Sequence, residues 1–118
     1  MHSEKVLEHF HHPRHVGEIE NPAAVVESAN PVCGDTLKLW VGIEDGRIAQ
    51  AKFKAQGCVP AIACGSWLAE WLTGKTVRDL PNLSPEVIEA ALDGLPAASR
   101  HATVLAAECA RRLLEKIR

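Results

Sequence analysis

The sequence predicts an α+β fold, because its extended segments come first and its helical ones last. Three observations carry this. Two alternating apolar runs, Thr36–Ile43 and Arg47–Gln56, flank the polar segment Glu44-Asp45-Gly46 and read as a β-hairpin. A shorter run, Ala23–Ser28, precedes them as an edge strand. From about Pro60 onward the apolar spacing lengthens to the helical period and keeps it to the end of the chain.

Taken in order, Ser3 is placed to cap a helix running to about His11, with Val6, Leu7 and Phe10 as its apolar stripe and Pro13 as its stop. His2, His9, His11, His12 and His15 gather here. No cysteine or carboxylate pattern joins them, so they read as a polar helix face and loop rather than a second metal site. In the hairpin, Leu37, Leu39, Val41 and Ile43 share one face of the first strand, and Ala49, Ala51, Phe53 and Ala55 one face of the second. A two-residue Asp45-Gly46 loop sets Leu37 beside Lys54 and Leu39 beside Lys52. A three-residue loop sets Leu37 opposite Phe53, Leu39 opposite Ala51 and Val41 opposite Ala49, and is the register expected from burial.

A helix is predicted from about Pro60 to Thr73, with Ala61, Gly65, Leu68 and Leu72 on its buried stripe and Gly74 as its end. Trp67 and Trp71, four residues apart, read as packing or partner contacts. Thr76–Leu80 forms a short turn. Ser84-Pro85-Glu86 starts a helix that runs to about Leu92 and is closed by Gly94. Ser99 is the expected cap of a last, long helix ending near Ile117, with Ala102, Leu105, Ala106, Cys109, Leu113 and Ile117 as its stripe.

Residues 1–118 read as a single domain, long enough for a modest core. A hydrophobic content of 47% and a charged content of 24% are ordinary for a globular protein. The net charge of -2 supplies no basic footprint, which argues against nucleic acid. The N-terminus lacks the apolar run of a signal peptide and no stretch is long enough to span a bilayer, so a cytoplasmic location and no membrane partner are expected. Four cysteines, at 33, 58, 64 and 109, are too few and too scattered for a secreted disulfide framework and read as ligands or core residues.

The candidate site lies at the open end of the hairpin. Pro31-Val32-Cys33-Gly34-Asp35 enters it and Gly57-Cys58 leaves it. The expected register brings Cys33 opposite Gly57, one residue from Cys58, and Asp35 projects from the same face as Cys33. Both thiols sit beside glycine outside regular structure, where backbone amides can be aimed at sulfur. His101, two residues after the proposed cap, lies where the positive end of the helix dipole favours the neutral, metal-binding imidazole. Cys109 falls on the apolar stripe two turns beyond His101 and reads as core. Cys64, in the second turn of its helix, reads as a core or site-adjacent thiol, with direct ligation or sulfur relay as the alternative.

These residues carry a resemblance to a known family. Ser3-Glu4-Lys5-Val6-Leu7-Glu8-His9-Phe10, Pro13-Arg14, Val16-Gly17, Pro31-Val32-Cys33-Gly34-Asp35, Gly57-Cys58, Ala61-Ile62-Ala63, Glu70-Trp71, Gly74-Lys75 and Leu95-Pro96 through His101-Ala102-Thr103-Val104-Leu105 resemble, in order and nearly end to end, the IscU/NifU-type scaffolds for iron–sulfur cluster assembly. The resemblance implies a three-stranded antiparallel sheet with helices packed on one face, a long C-terminal helix and a metal site at one end. It implies a ligand set of Cys33, Asp35, Cys58 and His101. It further implies a transient two-iron, two-sulfur cluster, built with sulfur from a cysteine desulfurase and passed to apo iron–sulfur proteins. The chain departs from the family at three points. Ala102 stands where the family has a third ligand cysteine directly after the histidine. Leu95-Pro96-Ala97-Ala98-Ser99 stands in place of a Leu-Pro-Pro-Val-Lys signal, which weakens the inference of a chaperone pair. Cys64 stands where serine is usual.

Two thiolates, a carboxylate and an imidazole also make a tetrahedral zinc set, so zinc or a single iron can stand in for the cluster. A zinc-binding sulfur acceptor or regulator of a desulfurase, which builds no cluster, is the alternative function, with the N-terminal helix as its contact surface. A homo-oligomer is compatible with either function, and with the scaffold function it can bridge a cluster. A free-standing Cys/His nucleophilic enzyme fits poorly, since Asp35 beside Cys33 raises rather than lowers a thiol pKa and no nucleophile elbow is present.

Overall fold

The computed structural model describes residues 2–32 and 34–117. Helix α1 (Glu4–His11) leads through a loop to strands β1 (Ala24–Ala29), β2 (Thr36–Glu44) and β3 (Arg47–Gln56). Helix α2 (Val59–Leu72), a 3₁₀ segment (Val77–Asn82), α3 (Pro85–Ala91), a second 3₁₀ turn (Ala97–Ser99) and the 17-residue α4 (His101–Ile117) follow. The strands form one antiparallel sheet in the order β1-β2-β3, as the sequence predicts.

The hairpin register differs from the predicted one. Asp45 and Gly46 alone form the turn, both at positive φ, 53° and 76°, the pattern of the two-residue Asp-Gly turn whose twist matches that of the strands. Ile43 then pairs with Ile48, but Gly42 pairs with Gln50, so Ala49 is an extra residue bulged out of the ladder. Beyond the bulge Leu37 faces Ala55, Leu39 faces Phe53 and Val41 faces Ala51. The bulge restores the parity that a plain two-residue loop would have broken. Leu37, Leu39, Val41, Ala51 and Phe53 therefore share the buried face, with Ile48 in the place expected of Ala49, which is exposed.

α2 lies across that face at a glycine. A Cβ built on Gly65 would come within 2.8 Å of the Phe53 ring and 2.9 Å of Leu37 Cδ1, so the missing side chain sets the helix-to-sheet distance. α4 packs beside α2 with Ala102, Leu105, Ala106, Cys109 and Leu113 buried and Ile117 partly so. Trp67 and Trp71 stack with ring centroids 6.0 Å apart, half-buried against the core, and Lys75 Nζ lies 5.0 Å over the Trp71 ring; packing accounts for them. Both sheet edges are covered. Along β3, Gly17 N–H donates to Phe53 O and Phe53 N–H to His15 O, each at 2.9 Å. Along β1, Arg112 and Lys116 of α4 donate to the carbonyls of Glu27 and Val25, each at 2.8 Å, which blunts that edge against pairing with another chain.

Helix starts follow their predicted caps with one exception. Ser3 Oγ accepts from Val6 N–H at 3.1 Å and donates to the Leu92 carbonyl at 2.5 Å, tying α1 to the end of α3. Ser84 caps α3 through Val87 N–H at 3.2 Å. Ser99, the expected cap of α4, belongs instead to the 3₁₀ turn, and α4 begins directly at His101.

The stripe of α1 also departs from expectation: Leu7 is exposed and His9 is buried in its stead. Arg14 N–H donates to Ser66 Oγ at 2.8 Å, and the same hydroxyl is hydrogen-bonded to His9 Nδ1 at 2.8 Å. His9 is thus a structural latch between α1 and α2. Burial, aided by the Arg14 charge and opposed by Glu70 and Glu8, holds its pKa below the usual 6.5. The unfolded chain therefore binds a proton that the folded one resists, and stability present above about pH 6.5 falls as the pH drops toward the lowered value. Thermal melts across that range should show the decline. His9→Asn, which keeps an acceptor but cannot titrate, should flatten it.

Candidate metal centre

The site is built where β2 begins, where α2 begins and where α4 begins. Asn30 shapes the first piece. Its side-chain oxygen accepts from Val32 N–H at 2.9 Å, its carbonyl accepts from Gly34 N–H at 2.8 Å, and its own N–H donates to the Asp35 carbonyl at 2.8 Å. That turn delivers Asp35 to the mouth of β2 with its side chain turned inward, 6% exposed. Cys58 is the N-cap residue of α2, in extended conformation. His101 is the first residue of α4.

The three side chains meet. Cys58 Sγ lies 3.3 Å from Asp35 Oδ2 and 3.8 Å from His101 Nε2, and His101 Nε2 lies 3.4 Å from the same carboxylate oxygen. One donor atom from each lies within 4.8 Å of the others. The imidazole is oriented by the 3₁₀ turn before α4: His101 Nδ1 is 3.1 Å from the Ala98 carbonyl. A carbonyl can only accept, so Nδ1 carries a proton, and in the neutral, metal-binding ring it is the Nε2 lone pair that is left to face the cysteine and the aspartate. Three electron-pair donors are thus aimed at one point, and among the described residues no lysine or arginine pairs with the buried Asp35 carboxylate. Burial pushes the Cys58 thiol up, the Asp35 carboxylate adds to the rise, and the Ala61 backbone amide opposes it. A cation at the centre would satisfy all three groups and draw off the thiol proton. Sulfur, oxygen and nitrogen donors in this number fit zinc or iron.

Of the predicted residues, Asp35, Cys58 and His101 converge; Cys33 lies outside the described residues, and the place opposite Gly57 predicted for it belongs to another residue. In the observed register Asp35, one step beyond the last ladder pair, is the residue that faces Gly57. Cys64 is 1% exposed and Cys109 fully buried; burial, first among the causes, pushes each thiol up to about 12. Both belong to the core. Ala102, beside His101, is fully buried. The Ala98 carbonyl was invisible to sequence reasoning, because a backbone acceptor leaves no mark in residue identity.

Comparison with known proteins places the chain in a family. The family model of the NifU-like N terminal domain matches residues 1–117. The chain belongs to that family. It is 40% identical over 114 residues to the iron–sulfur cluster assembly scaffold protein IscU 1 of Archaeoglobus fulgidus, covering 97% of this chain and 74% of the relative. To the iron–sulfur cluster assembly scaffold protein IscU of Escherichia coli K12 it is 38% identical over 108 residues, 88% of this chain and 84% of that one. The solved N-terminal structure of a NifU-like protein from Brucella abortus superposes with a TM-score of 0.66 at 19% identity, over 98% of this chain and 83% of the other, and so bears on the fold alone. Both of these relatives of the NifU-like chain are named as scaffolds rather than as enzymes. None of its described helices is long and apolar enough to cross a membrane.

Proposed function

We propose that this chain is a scaffold on which an iron–sulfur cluster is assembled and from which it is handed to apo-proteins. One observation carries this: Asp35, Cys58 and His101, drawn from three separate elements, bring one sulfur, one oxygen and one nitrogen donor within 4.8 Å of one another. Cys33, two residues before Asp35, is the fourth ligand on sequence grounds. Cluster ligands are usually thiolates; a set in which a carboxylate and an imidazole replace two of them holds its cargo less firmly, which suits a site that must give a two-iron, two-sulfur cluster away.

Sulfur would arrive from a cysteine desulfurase. Among the described thiols Cys58 is exposed while Cys64 and Cys109 are buried, so Cys58 is the accessible acceptor. Its thiolate attacks the outer sulfur of the enzyme's persulfide. A new S–S bond forms on Cys58, the old one breaks, and the desulfurase cysteine leaves as thiolate. Zinc would occupy the same donors in the absence of iron and sulfide. The partners are thus a desulfurase and apo iron–sulfur acceptors, in the cytoplasm, without nucleic acid or membrane.

Anaerobic incubation with ferrous iron, cysteine, a desulfurase and a dithiol reductant, which supplies the two electrons that turn each persulfide sulfur into sulfide, should develop visible thiolate-to-iron absorption that is lost in Cys58→Ser, together with stoichiometric acid-labile sulfide. Faster desulfurase turnover with zinc-loaded protein and no cluster would identify instead a sulfur acceptor or regulator. The buried Ala102 beside His101 favours that second function, since it offers no further thiol at the site.

A further inference from the structure

Gly57 is the residue whose chemistry the ligand set leaves unexplained. It stands immediately before Cys58, at φ 149°, a backbone conformation that side chains rarely tolerate. A Cβ built there would lie 2.5 Å from Asp35 Cγ and 3.0 Å from Asp35 Cβ. Of the other glycines at positive φ, Gly34, Gly46, Gly74 and Gly94 have nothing within 4 Å of the same hypothetical atom, and Gly17 meets only Lys52 Cδ at 3.7 Å, an ordinary contact. The first four of these serve turns or helix ends. At Gly57 the vacant volume is filled, and what fills it is the buried carboxylate.

We propose that Gly57 is the specificity-determining position of the metal centre: its missing side chain is the space in which the Asp35 carboxylate sits, and hence the reason an oxygen donor shares the site with Cys58 and His101. The register supplies the mechanism. Asp35 and Gly57 face each other one step beyond the last ladder pair, where opposed residues lie about 4.5–5.5 Å apart between Cα atoms. In the ladder itself such opposed pairs both carry side chains, but here the Asp35 carboxylate already fills the Cβ position of residue 57, with Cγ 2.5 Å from it, so the two cannot coexist without a shift. With glycine at 57 the carboxylate reaches Cys58 Sγ at 3.3 Å and His101 Nε2 at 3.4 Å. With any side chain at 57 the carboxylate is evicted toward solvent, and the site keeps sulfur and nitrogen donors only. Such a site loses its preference for ions that favour an oxygen donor.

The inference rests on the metal-site assignment above, and one set of cobalt(II) titrations followed by visible absorption separates the two. Wild-type protein takes up cobalt with a thiolate-to-metal band. Gly57→Ala weakens uptake about tenfold to a hundredfold, the range in which changes around a metal site typically fall. Asp35→Ala weakens it to a similar degree. The double variant Gly57→Ala/Asp35→Ala binds no more weakly than Asp35→Ala, within about twofold, because both changes remove the same donor. Gly57→Ala binding as wild type does overturns the inference. So does a full further loss in the double variant, which would assign the effect to backbone strain at residue 57 rather than to the carboxylate. Should Gly57→Ala fail to fold, recovery of folding on adding Asp35→Gly supports the steric account and persistent misfolding overturns it. Wild-type protein that takes up no cobalt overturns the metal-site assignment itself and this inference with it.

Discussion

Cys58→Ser should lower zinc or cobalt affinity at least about a hundredfold, beyond what loss of an outer-shell group costs. Three facts set the size of the effect. Cys58 is the sulfur that both Asp35 and His101 face, at 3.3 and 3.8 Å. It sits on the first turn of α2, where backbone amides and the helix dipole favour a thiolate once a metal has displaced the proton. A serine hydroxyl keeps the shape but stays protonated and hard, so the soft donor is lost. His101→Ala should cost comparably, since it removes the imidazole that Ala98 holds in the ligating tautomer. Cys64→Ala is the contrast. Its sulfur is buried, with its thiol pushed up to about 12, and belongs to the core. It should lower the melting temperature while leaving metal affinity unchanged. Equilibrium titration against a colorimetric chelator checks all three. Unaltered affinity in Cys58→Ser would sink the site.

The second large effect is on stability, at the contact between α2 and β3. Phe53→Ala should cost about 3–5 kcal/mol, the usual range for deleting a buried ring and leaving its cavity; the residue is 2% exposed and lies under Gly65. Gly65→Ala tests the same contact from the other side, where two effects oppose each other. Alanine gains up to about 1 kcal/mol in helix propensity. Against this, its Cβ would stand 2.8 Å and 2.9 Å from ring carbons of Phe53 and 2.9 Å from Leu37, and overpacking of this kind costs about 1–3 kcal/mol. The clash should win, because Phe53 and Leu37 are enclosed and cannot swing away. Combining Gly65→Ala with Phe53→Leu should recover part of the loss, since the smaller side chain vacates the crowded volume. Urea unfolding monitored by circular dichroism measures each value. A Gly65→Ala protein more stable than wild type would show that the packing at Gly65 can relax.

Residue periodicity gives the order and type of the three strands and four α-helices, because burial of one face imposes a period of two on strands and 3.6 on helices. It also gives the identity of the donors: cysteine and aspartate beside glycine at strand ends, and histidine at a helix mouth, are visible as residue types. Parity of the hairpin was legible too, since only one parity buries Leu37, Leu39 and Phe53 together. Register within that parity was not. The loop of two residues and the compensating bulge at Ala49 bury the same face as the predicted loop of three, so burial cannot tell them apart. That two-residue difference makes Asp35 the neighbour of Gly57. His9 was likewise misplaced among the surface histidines, because its partner, Ser66, lies 57 positions away and such a distance has no period. What the amino-acid order determined, then, is which groups exist and on which elements they ride. Only the folded chain decided which of them meet, because a side chain's neighbours across a sheet or a helix junction depend on register and approach distance, and these are fixed by packing between segments far apart in sequence.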